Sequence, residues 1–361
     1  MRVMDAKVTV ATWNRFHMFN LGQQLNEYGA LSRILTTLPK YRAITEAKSL
    51  GISEEKIRSN ATLWVLERAI AQLFRKRTRE KFTIAATRNH QRFVLKEIRL
   101  NTDAHQVLIG ISGTGLLAGK YLRERQGEYY FDRGSTEIRH QEKVLAEVYA
   151  RAGLVYPETN KQLLEIEREE AEIATGIVVP SRYCKQTYID AGYAREKIHV
   201  IEYGVDLGEF RKRPQGELPE RNEFLFCGNF CLRKGAALIC SVFRKLPQSY
   251  KLCVIGAVDE DAKRYAQDRS MANIYFAGIK KRNELSSVMH KYRGLVLPSY
   301  EEGLAMVIPQ ALACGLPVIA SMQSGASAYV INGKNGLLLD ELDEARLMTA
   351  VMKISLLSND E

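Results

Sequence analysis

No stretch of the 361-residue sequence approaches the roughly 20 uninterrupted apolar residues of a transmembrane helix, and the N-terminal residues lack the apolar block of a signal peptide. We therefore expect a cytoplasmic protein. The pair Cys227 and Cys231 has no second cysteine pair or paired histidines at metal-finger distance, which excludes a zinc finger. The six cysteines are expected to be buried free thiols. Repeats and low-complexity tracts are also lacking, so a fibrous or solenoid architecture is excluded.

The composition is that of a globular protein with a basic excess. Hydrophobic residues make up 46% and charged residues 26%, with a formal net charge of +10. Residues 1–180 carry 28 basic and 21 acidic side chains, so most of the excess lies in the first half. No aromatic-basic platform accompanies it, and we expect no nucleic acid partner.

The densest basic cluster follows the apolar run Leu63–Phe74. Lys and Arg side chains beside an apolar helix face can bind an anionic membrane surface. The alternative is a solvent-exposed helix C-terminus, where cations interact favourably with the helix dipole. The residues that would contact the membrane are Arg75, Lys76, Arg77 and Arg79.

Short β-branched runs alternate with helical patterns, which predicts an α/β fold with doubly wound parallel sheets. The predicted strands are Lys7–Thr12, Ser32–Thr36, Gln106–Ile111 and Gly176–Pro180 in one set, and His199–Glu202, Glu223–Cys227, Tyr250–Gly256, Asn273–Phe276, Gly294–Pro298 and Pro317–Ala320 in another. The polar stretch Gly204–Arg221 predicts a surface connection. We expect two Rossmann-like domains facing each other across a ligand cleft, over residues 1–180 and 181–345. Residues 346–361 would form a C-terminal helix that could return to the first domain.

The most informative segment is Leu295–Ser321, which reads LVLPSYEEGLAMVIPQALACGLPVIAS. It predicts a buried strand, a loop, a helix of small and apolar residues, and a second strand. Gly303 at the start of that helix would let the backbone approach a ligand and offer N–H groups to an anion. Glu302 can accept hydrogen bonds from hydroxyls, and Gln310 lies about two helical turns further on, on nearly the same face.

This segment resembles the signature of the GT-B glycosyltransferases of family 4, in which seven residues separate two glutamates. Upstream, Phe224–Gly235 (FLFCGNFCLRKG) is similar to the family's strand, glycine and Arg-Lys-Gly element. The segment from Val178 to Ser181 and that from Lys197 to Asp206 resemble its domain junction. The similarity is specific over about residues 165–340.

The resemblance implies roles for residues of the second half. Glu302 would contact the transferred sugar, and the amides of Gly303, Leu304 and Ala305 would meet the sugar and phosphates. Arg233 and Lys234 would hold the donor diphosphate and stabilise the leaving nucleotide. The donor-binding set is completed by Gly228, Asn229 and Gln310.

The sequence departs from the family pattern at three positions. Gln310 replaces the second glutamate, which usually holds the ribose diol, and a neutral amide gives a weaker bond, about 0.5–1.5 kcal/mol. Asn229 stands where an arginine is frequent, and Ala328 where a third acid is common. These departures keep open a binding or scaffold protein that has the fold without turnover.

The first half resembles the family only loosely. The run that begins at Trp13 is similar to the first strand-to-helix turn of a GT-B subset, with Arg15 and His17 available to the cleft. Asp132 and Ser135 lie where the family places acceptor-side residues, and Asp132 is included among the catalytic candidates.

The resemblance implies transfer of a hexose from a nucleotide diphosphate sugar, UDP- or GDP-linked, to a hydroxyl acceptor with retention of configuration. The acceptor would be a saccharide or lipid-linked saccharide of bacterial surface polysaccharide or glycolipid synthesis. No cofactor and no metal would be required. A peripheral position at the inner face of the cytoplasmic membrane would suit this acceptor.

Two other motifs indicate different chemistry. Residues 113–118 (GTGLLA) fit the dinucleotide fingerprint, but they lie far from the first strand, so a tight strand-to-helix turn is favoured over an NAD-dependent oxidoreductase. Asp259-Glu260-Asp261 fits the D-x-D pattern of metal-dependent transferases. It begins a polar helical segment, and helix capping is the favoured interpretation.

Overall fold

A computed structural model describes residues 6–61, 76–103, 105–212, 221–268 and 272–356, with residues 76–81 described by their helix only. Helices and parallel strands alternate along the chain, and the strands form two separate sheets. The predicted α/β class with two Rossmann-like sheets is therefore confirmed. Of the predicted connection over residues 204–221, residues 213–220 lie outside the described part of the chain.

The first sheet is built from residues before position 201. Its strands are β1 (Lys7–Thr12), β2 (Leu31–Thr36), β3 (Ile57–Ser59), β4 (Gln106–Ile111), β5 (Glu128–Asp132), β6 (Gly176–Val179) and β7 (Ile198–Val200). They lie in the order β3-β2-β1-β4-β5-β6-β7, and neighbours from β3 to β6 pair in parallel. The described helices of this part are α1 (Met18–Glu27), α2 (Lys40–Ser49), α3 (Lys76–Arg99), α4 (Leu116–Arg123), α5 (Ile138–Arg151), α6 (Lys161–Ile173) and α7 (Arg182–Asp190).

The second sheet has six strands. They are β8 (Glu223–Cys227), β9 (Lys251–Ile255), β10 (Ile274–Gly278), β11 (Gly294–Leu297), β12 (Val318–Ser321) and β13 (Gly336–Leu339), in the order β10-β9-β8-β11-β12-β13, all parallel. The described helices are α8 (Ala236–Lys245), α9 (Lys263–Ala266), α10 (Arg282–Met289), α11 (Val307–Ala313) and α12 (Glu344–Ser355). Every residue of β11 and β12 is buried, as expected for parallel strands covered on both faces.

The predicted strands all exist, with ends shifted by at most two residues. Three further strands, β3, β5 and β13, were not predicted, because they are short and the acids that flank the Tyr-Tyr-Phe core of β5 obscure its apolar run. The strand predicted at His199–Glu202 is β7, and it joins the first sheet instead of the second. The sequence of a three-residue strand does not indicate which sheet the strand joins.

The chain divides into two compact units, each of which is made of several separate segments of the sequence. The first unit holds the residues up to Gly134, Thr159–Val179 and Tyr193–His199, and the second holds the rest. Residues 135–158, assigned to the first domain from sequence, pack with the second unit, because side chains of this segment bond to it. One example is the Tyr149 hydroxyl, which donates to Asp261 Oδ2 at 2.6 Å.

Helix α12 packs on α8, β12 and β13, with Leu347, Val351 and Ile354 buried. Over its described residues, 344–355, it therefore belongs to the second unit, and the suggested return to the first domain stays a prediction. All six cysteines are buried free thiols, as expected.

Within the described residues, no helix has the length and apolar character required to cross a membrane. The predicted membrane-contacting cluster lies largely outside the residues that the structure describes. Arg75 and the apolar run before it are not described, and Lys76, Arg77 and Arg79 are described only as part of α3. The membrane contact stays a prediction.

Candidate active site

The candidate donor residues lie at the carboxyl ends of β8 and β11. These strands are neighbours in the second sheet, and the strand order reverses between them, since β9 lies on one side and β12 on the other. Open parallel sheets bind ligands at such a reversal. The loop after β8 carries Arg233 and Lys234, and the loop after β11 carries Glu302. The topology thus brings together residues almost 70 positions apart.

The loop after β8 approaches its neighbours closely. Gly228 follows the strand with φ of +135°, and a Cβ built there would lie 3.3 Å from Lys234 Nζ. Leu232–Lys234 form a 3-10 turn that Gly235 ends with φ of +82°. A left-handed residue at this point turns the chain into α8 and aims the Lys234 ammonium back over the end of β8.

Gly235 supports a prediction about the turn. A Cβ there would lie 2.4 Å from the Pro298 carbonyl oxygen, whereas one at Gly333, with nearly the same φ of +79°, would meet nothing within 4 Å. Both alanine variants incur the left-handed backbone cost of about 1–2 kcal/mol, and only Gly235→Ala adds a backbone clash. We expect Gly235→Ala to lose about 3 kcal/mol of unfolding free energy in urea and Gly333→Ala about 1 kcal/mol. Equal losses would contradict the close approach of the turn to Pro298.

The charged side chains of the two loops meet. Lys234 Nζ lies 2.7 Å from Glu302 Oε1, and Arg233 NH1 lies 3.5 Å from the same oxygen. The side chains of Lys234 and Glu302 are 14% and 11% exposed, and Glu302 Oε1, the oxygen that faces the ammonium, is buried, so this pair is largely shielded from water. Burial by itself would lower the pKa of Arg233, but the charges of Glu302 and Glu301 outweigh it and raise the pKa above its ordinary value. Arg233 therefore stays cationic.

The Gly303–Ala305 loop is fixed by the second unit. The Ser181 hydroxyl donates to the Gly303 carbonyl at 2.7 Å, and Leu304 and Ala305 are 4% exposed. The Ala305 amide donates to the Ser324 carbonyl at 3.1 Å. The prediction that this amide meets a ligand is corrected, because its hydrogen is already used to join the loop to the segment after β12.

Gln310 and Asn229, the two donor-binding candidates that differ from the family pattern, differ in burial. Gln310 is half-buried on α11, and its backbone amide donates a helical hydrogen bond to the Met306 carbonyl. Asn229 is exposed directly after Gly228. Their roles toward a nucleotide stay predictions.

Glu301 is a site residue that the sequence analysis missed. Its side chain is fully buried beside Arg233, with NH1 of Arg233 3.4 Å from Oε2. Ser135 donates to Glu301 Oε1 and lies in the second unit, 8% exposed. The acceptor-side placement of Ser135 is therefore corrected. Its partner lies 166 positions away, so no local pattern could have indicated the contact.

Two acceptor-side candidates meet in the first unit. His17 Nε2 lies 2.8 Å from Asp132 Oδ1, which joins the start of α1 to the carboxyl end of β5. Asp132 is 4% exposed, and the His17 side chain is 21% exposed. Arg15 instead pairs with Glu46 at 2.6 Å, with its own side chain 55% exposed. The acid and the imidazole thus form a partly accessible pair, and Arg15 lies apart from it.

The GTGLLA turn holds a carboxyl group from its own chain. The side-chain oxygens of Glu170, on α6, accept from the amides of Gly113 at 2.6 Å, Gly115 at 2.7 Å and Leu116 at 3.0 Å. Glu170 is fully buried. These amides would have to meet a dinucleotide pyrophosphate, so the NAD-binding alternative is excluded for this turn.

The D-x-D motif is occupied by protein contacts. Asp261 accepts from the Tyr149 hydroxyl and from the Leu232 amide at 3.3 Å. Asp259 is the N-cap residue of the 3-10 turn Glu260–Ala262, and Glu260 and Asp261 lie in its first turn, so the motif begins a helical segment as expected, although the Asp259 side chain makes no capping hydrogen bond. Within the described ranges, no group of three or more His, Cys, Asp or Glu side chains is placed to hold a metal ion.

Comparison with known proteins places this geometry in a family context. Residues 209–361 match the family model of the Glycosyl transferases group 1. An uncharacterized glycosyltransferase of Methanocaldococcus jannaschii is 31% identical over 137 residues, which cover 38% of each chain. The amylovoran biosynthesis glycosyltransferase AmsK of Erwinia amylovora is 25% identical over 187 residues, covering 48% of this chain and 46% of AmsK. The matches thus span less than half of either relative's length.

The whole chain resembles a solved structure in fold. Anabaena HepE in complex with UDP superposes with a TM-score of 0.61 at 13% identity, over 96% of this chain and 89% of HepE. At that identity the likeness concerns the fold alone, which is of the GT-B type. The matched family segment holds Arg233, Lys234 and Glu302. Residues 209–361 are thus similar in sequence to the group 1 glycosyl transferases, and the chain as a whole is similar to a GT-B structure in fold.

Proposed function

We propose that this protein is a retaining glycosyltransferase that moves a hexose from a nucleotide diphosphate sugar to a hydroxyl acceptor. The observation that carries the proposal is the Lys234–Glu302 pair with Arg233 beside it, at the strand reversal of a sheet whose segment matches group 1 glycosyl transferases. Two cations and one acid in this position suit a donor that has a dianionic diphosphate and a hydroxyl-rich sugar.

The ion pair suggests how the donor would bind. A diphosphate beside Gly228 would attract Lys234 and Arg233, and Glu302 would then exchange its contact with Lys234 for sugar hydroxyls. The cations would stabilise the negative charge that develops on the leaving nucleotide as the glycosidic bond breaks. These fixed charges supply the electrostatic stabilisation, so we propose that neither a metal nor a cofactor is required.

The acceptor hydroxyl is proposed to meet the first unit near Asp132 and His17. Asp132 holds the imidazole through the 2.8 Å contact, and the pair would receive the acceptor hydroxyl on its accessible side, since the His17 side chain is 21% exposed. Retention would proceed with acceptor attack on the face that the nucleotide leaves, and the leaving phosphate would take the acceptor proton. No protein nucleophile is assigned.

The names of two similar proteins support a proposal for the substrate class. AmsK is named for amylovoran biosynthesis, and HepE was solved with UDP. We propose a UDP-linked donor first and a GDP-linked donor second. The acceptor is proposed to be a saccharide or lipid-linked saccharide in bacterial surface polysaccharide or glycolipid synthesis. A cytoplasmic protein docked through Arg75, Lys76, Arg77 and Arg79 would meet such an acceptor at the membrane face.

A thermal-shift panel of UDP, GDP and ADP sugars tests the donor site. We expect one nucleotide class to raise the Tm of the wild type and the Glu302→Ala variant to lose most of that shift, because the sugar loses its charged acceptor. Glu341→Ala is the control, since Glu341 is 69% exposed and pairs with Arg346 on the surface. Equal shifts in wild type and Glu302→Ala would place the donor elsewhere.

A second measurement separates the transferase from a binding protein with the same fold. Gln310 replaces the usual ribose-binding glutamate, which is the observation that favours the binding protein. Nucleotide release from the stabilising donor should be measured with and without saccharide and lipid-linked acceptors. Release that depends on an acceptor supports the transferase, and tight binding without release under any acceptor supports the binding protein.

A further inference from the structure

We propose that Glu301 is a positioning residue that orients the Arg233 guanidinium toward the donor diphosphate. This rests on the proposed function, because it assigns a part to Arg233 in donor binding. Arg233 NH1 donates to the Glu301 backbone carbonyl at 3.0 Å and lies 3.4 Å from the carboxylate Oε2. The Arg233 carbonyl in turn accepts from the Tyr300 amide at 2.8 Å. Both the backbone and the guanidinium of Arg233 are thus joined to the loop after β11.

The Glu301 carboxylate is held by uncharged donors on both oxygens. Oε1 accepts from the hydroxyls of Ser135 and Thr136, the latter at 2.8 Å, and from the Thr136 amide at 3.3 Å. Oε2 accepts from Gln141 Nε2 at 2.9 Å. Burial by itself would raise the pKa of Glu301, but Arg233 and these hydrogen bonds outweigh it and hold the pKa below its ordinary value. A charged carboxylate therefore persists in a dry position.

The two acids beside Arg233 differ in what they can do. Glu302 is 11% exposed, so its carboxylate can turn to a ligand. Glu301 is fully buried and bonded to Thr136 and to Gln141 on α5, so its carboxylate cannot turn to a ligand in the same way. When Glu302 leaves its cations for the sugar, Glu301 keeps Arg233 in place. The segment 135–141, which belongs to the first half by sequence, thereby supports the donor site from within the second unit.

Calorimetry with UDP and GDP tests this assignment. Glu301→Gln keeps the size of the side chain and removes its charge, so binding of the preferred nucleotide should weaken about 10-fold while Tm shows a folded protein. Arg233→Gln should weaken it to a similar degree. The double variant should bind the nucleotide no more weakly than the weaker-binding single variant, because each change disrupts the same Glu301–Arg233 interaction. The matched control is Glu341→Gln at a surface position that is 69% exposed, and it should bind like the wild type.

The outcomes separate the possible failures. Unchanged affinity in folded Glu301→Gln, or single effects that multiply fully in the double variant, would overturn the positioning role and leave the proposed function standing. A wild type that binds neither nucleotide would overturn the proposed function and this assignment with it. If Glu301→Gln does not fold, Thr136→Val and Gln141→Leu weaken the same network. About 3-fold weaker binding in both supports the role, and unchanged binding in both rejects it.

Discussion

Lys234→Ala should lower kcat/KM for the nucleotide sugar by about 10²- to 10³-fold, the usual loss when one charge-stabilising donor is removed from a site. The physical reason is its position. Lys234 Nζ is 2.7 Å from Glu302 and beside the glycine at the end of β8, where a diphosphate can approach. Release of nucleotide in the presence of acceptor, at several donor concentrations, measures the effect.

Two control variants test whether the loss of kcat/KM is specific to the charge of Lys234. Lys353→Ala removes an exposed cation from α12 and should leave kcat/KM unchanged. Lys234→Arg retains the charge and should recover part of the rate, although the planar guanidinium does not reproduce an ammonium. A folded Lys234→Ala variant with wild-type kcat/KM would remove Lys234 from the mechanism.

Glu170→Ala should destabilise the first unit by about 3–5 kcal/mol. The substitution leaves three amide donors without their acceptor. Those of Gly115 and Leu116 are buried and that of Gly113 is partly buried, and each buried donor costs about 1–3 kcal/mol unless water enters. Urea unfolding followed by tryptophan fluorescence reports on this region, because Trp13 Nε1 donates to the Ser112 carbonyl beside the turn.

The neighbouring acid provides the matched control. Glu169 is 35% exposed and pairs with Lys120 on the surface, so Glu169→Ala should cost at most about 1 kcal/mol. Equal effects of the two substitutions would show that the Glu170 contacts contribute no more than a surface ion pair.

The same residue gives a pH dependence. Burial raises the pKa of Glu170 from 4.5 to about 8, against the opposing effect of the three amides. A raised pKa in the folded state means that the stabilisation from this group is fully present below pH 4.5 and is lost as the pH rises through about 8. The unfolding free energy of wild type minus that of Glu170→Gln should therefore fall between pH 5 and 8, by at most about 1.4 kcal/mol per pH unit. A difference that stays constant would indicate an ordinary, ionised carboxylate.

The donor site was more predictable than the rest because its motif is local. The Glu302 loop and the Arg233-Lys234 turn each follow a buried strand within a few residues, so a strand pattern and a resemblance suffice to find them. Their meeting depends on β8 and β11 being neighbours, which the expected Rossmann-like topology supplies. Ser135 was assigned to the acceptor side because its position in the chain, in the first half, said nothing of its contact with Glu301.

The sequence by itself determined the α/β class, most strands of the two sheets and the residues that meet at the end of β8. Hydrophobic periodicity and glycine placement act over a few residues, so the amino-acid sequence contains them directly. Only the tertiary structure decided that residues 135–158 pack with the second unit, that Glu170 fills the GTGLLA turn, and that Glu301 lies buried behind Arg233. In each case a carboxyl group or hydroxyl meets a partner at least 54 positions away, and such a pairing follows from burial and hydrogen-bond satisfaction in three dimensions.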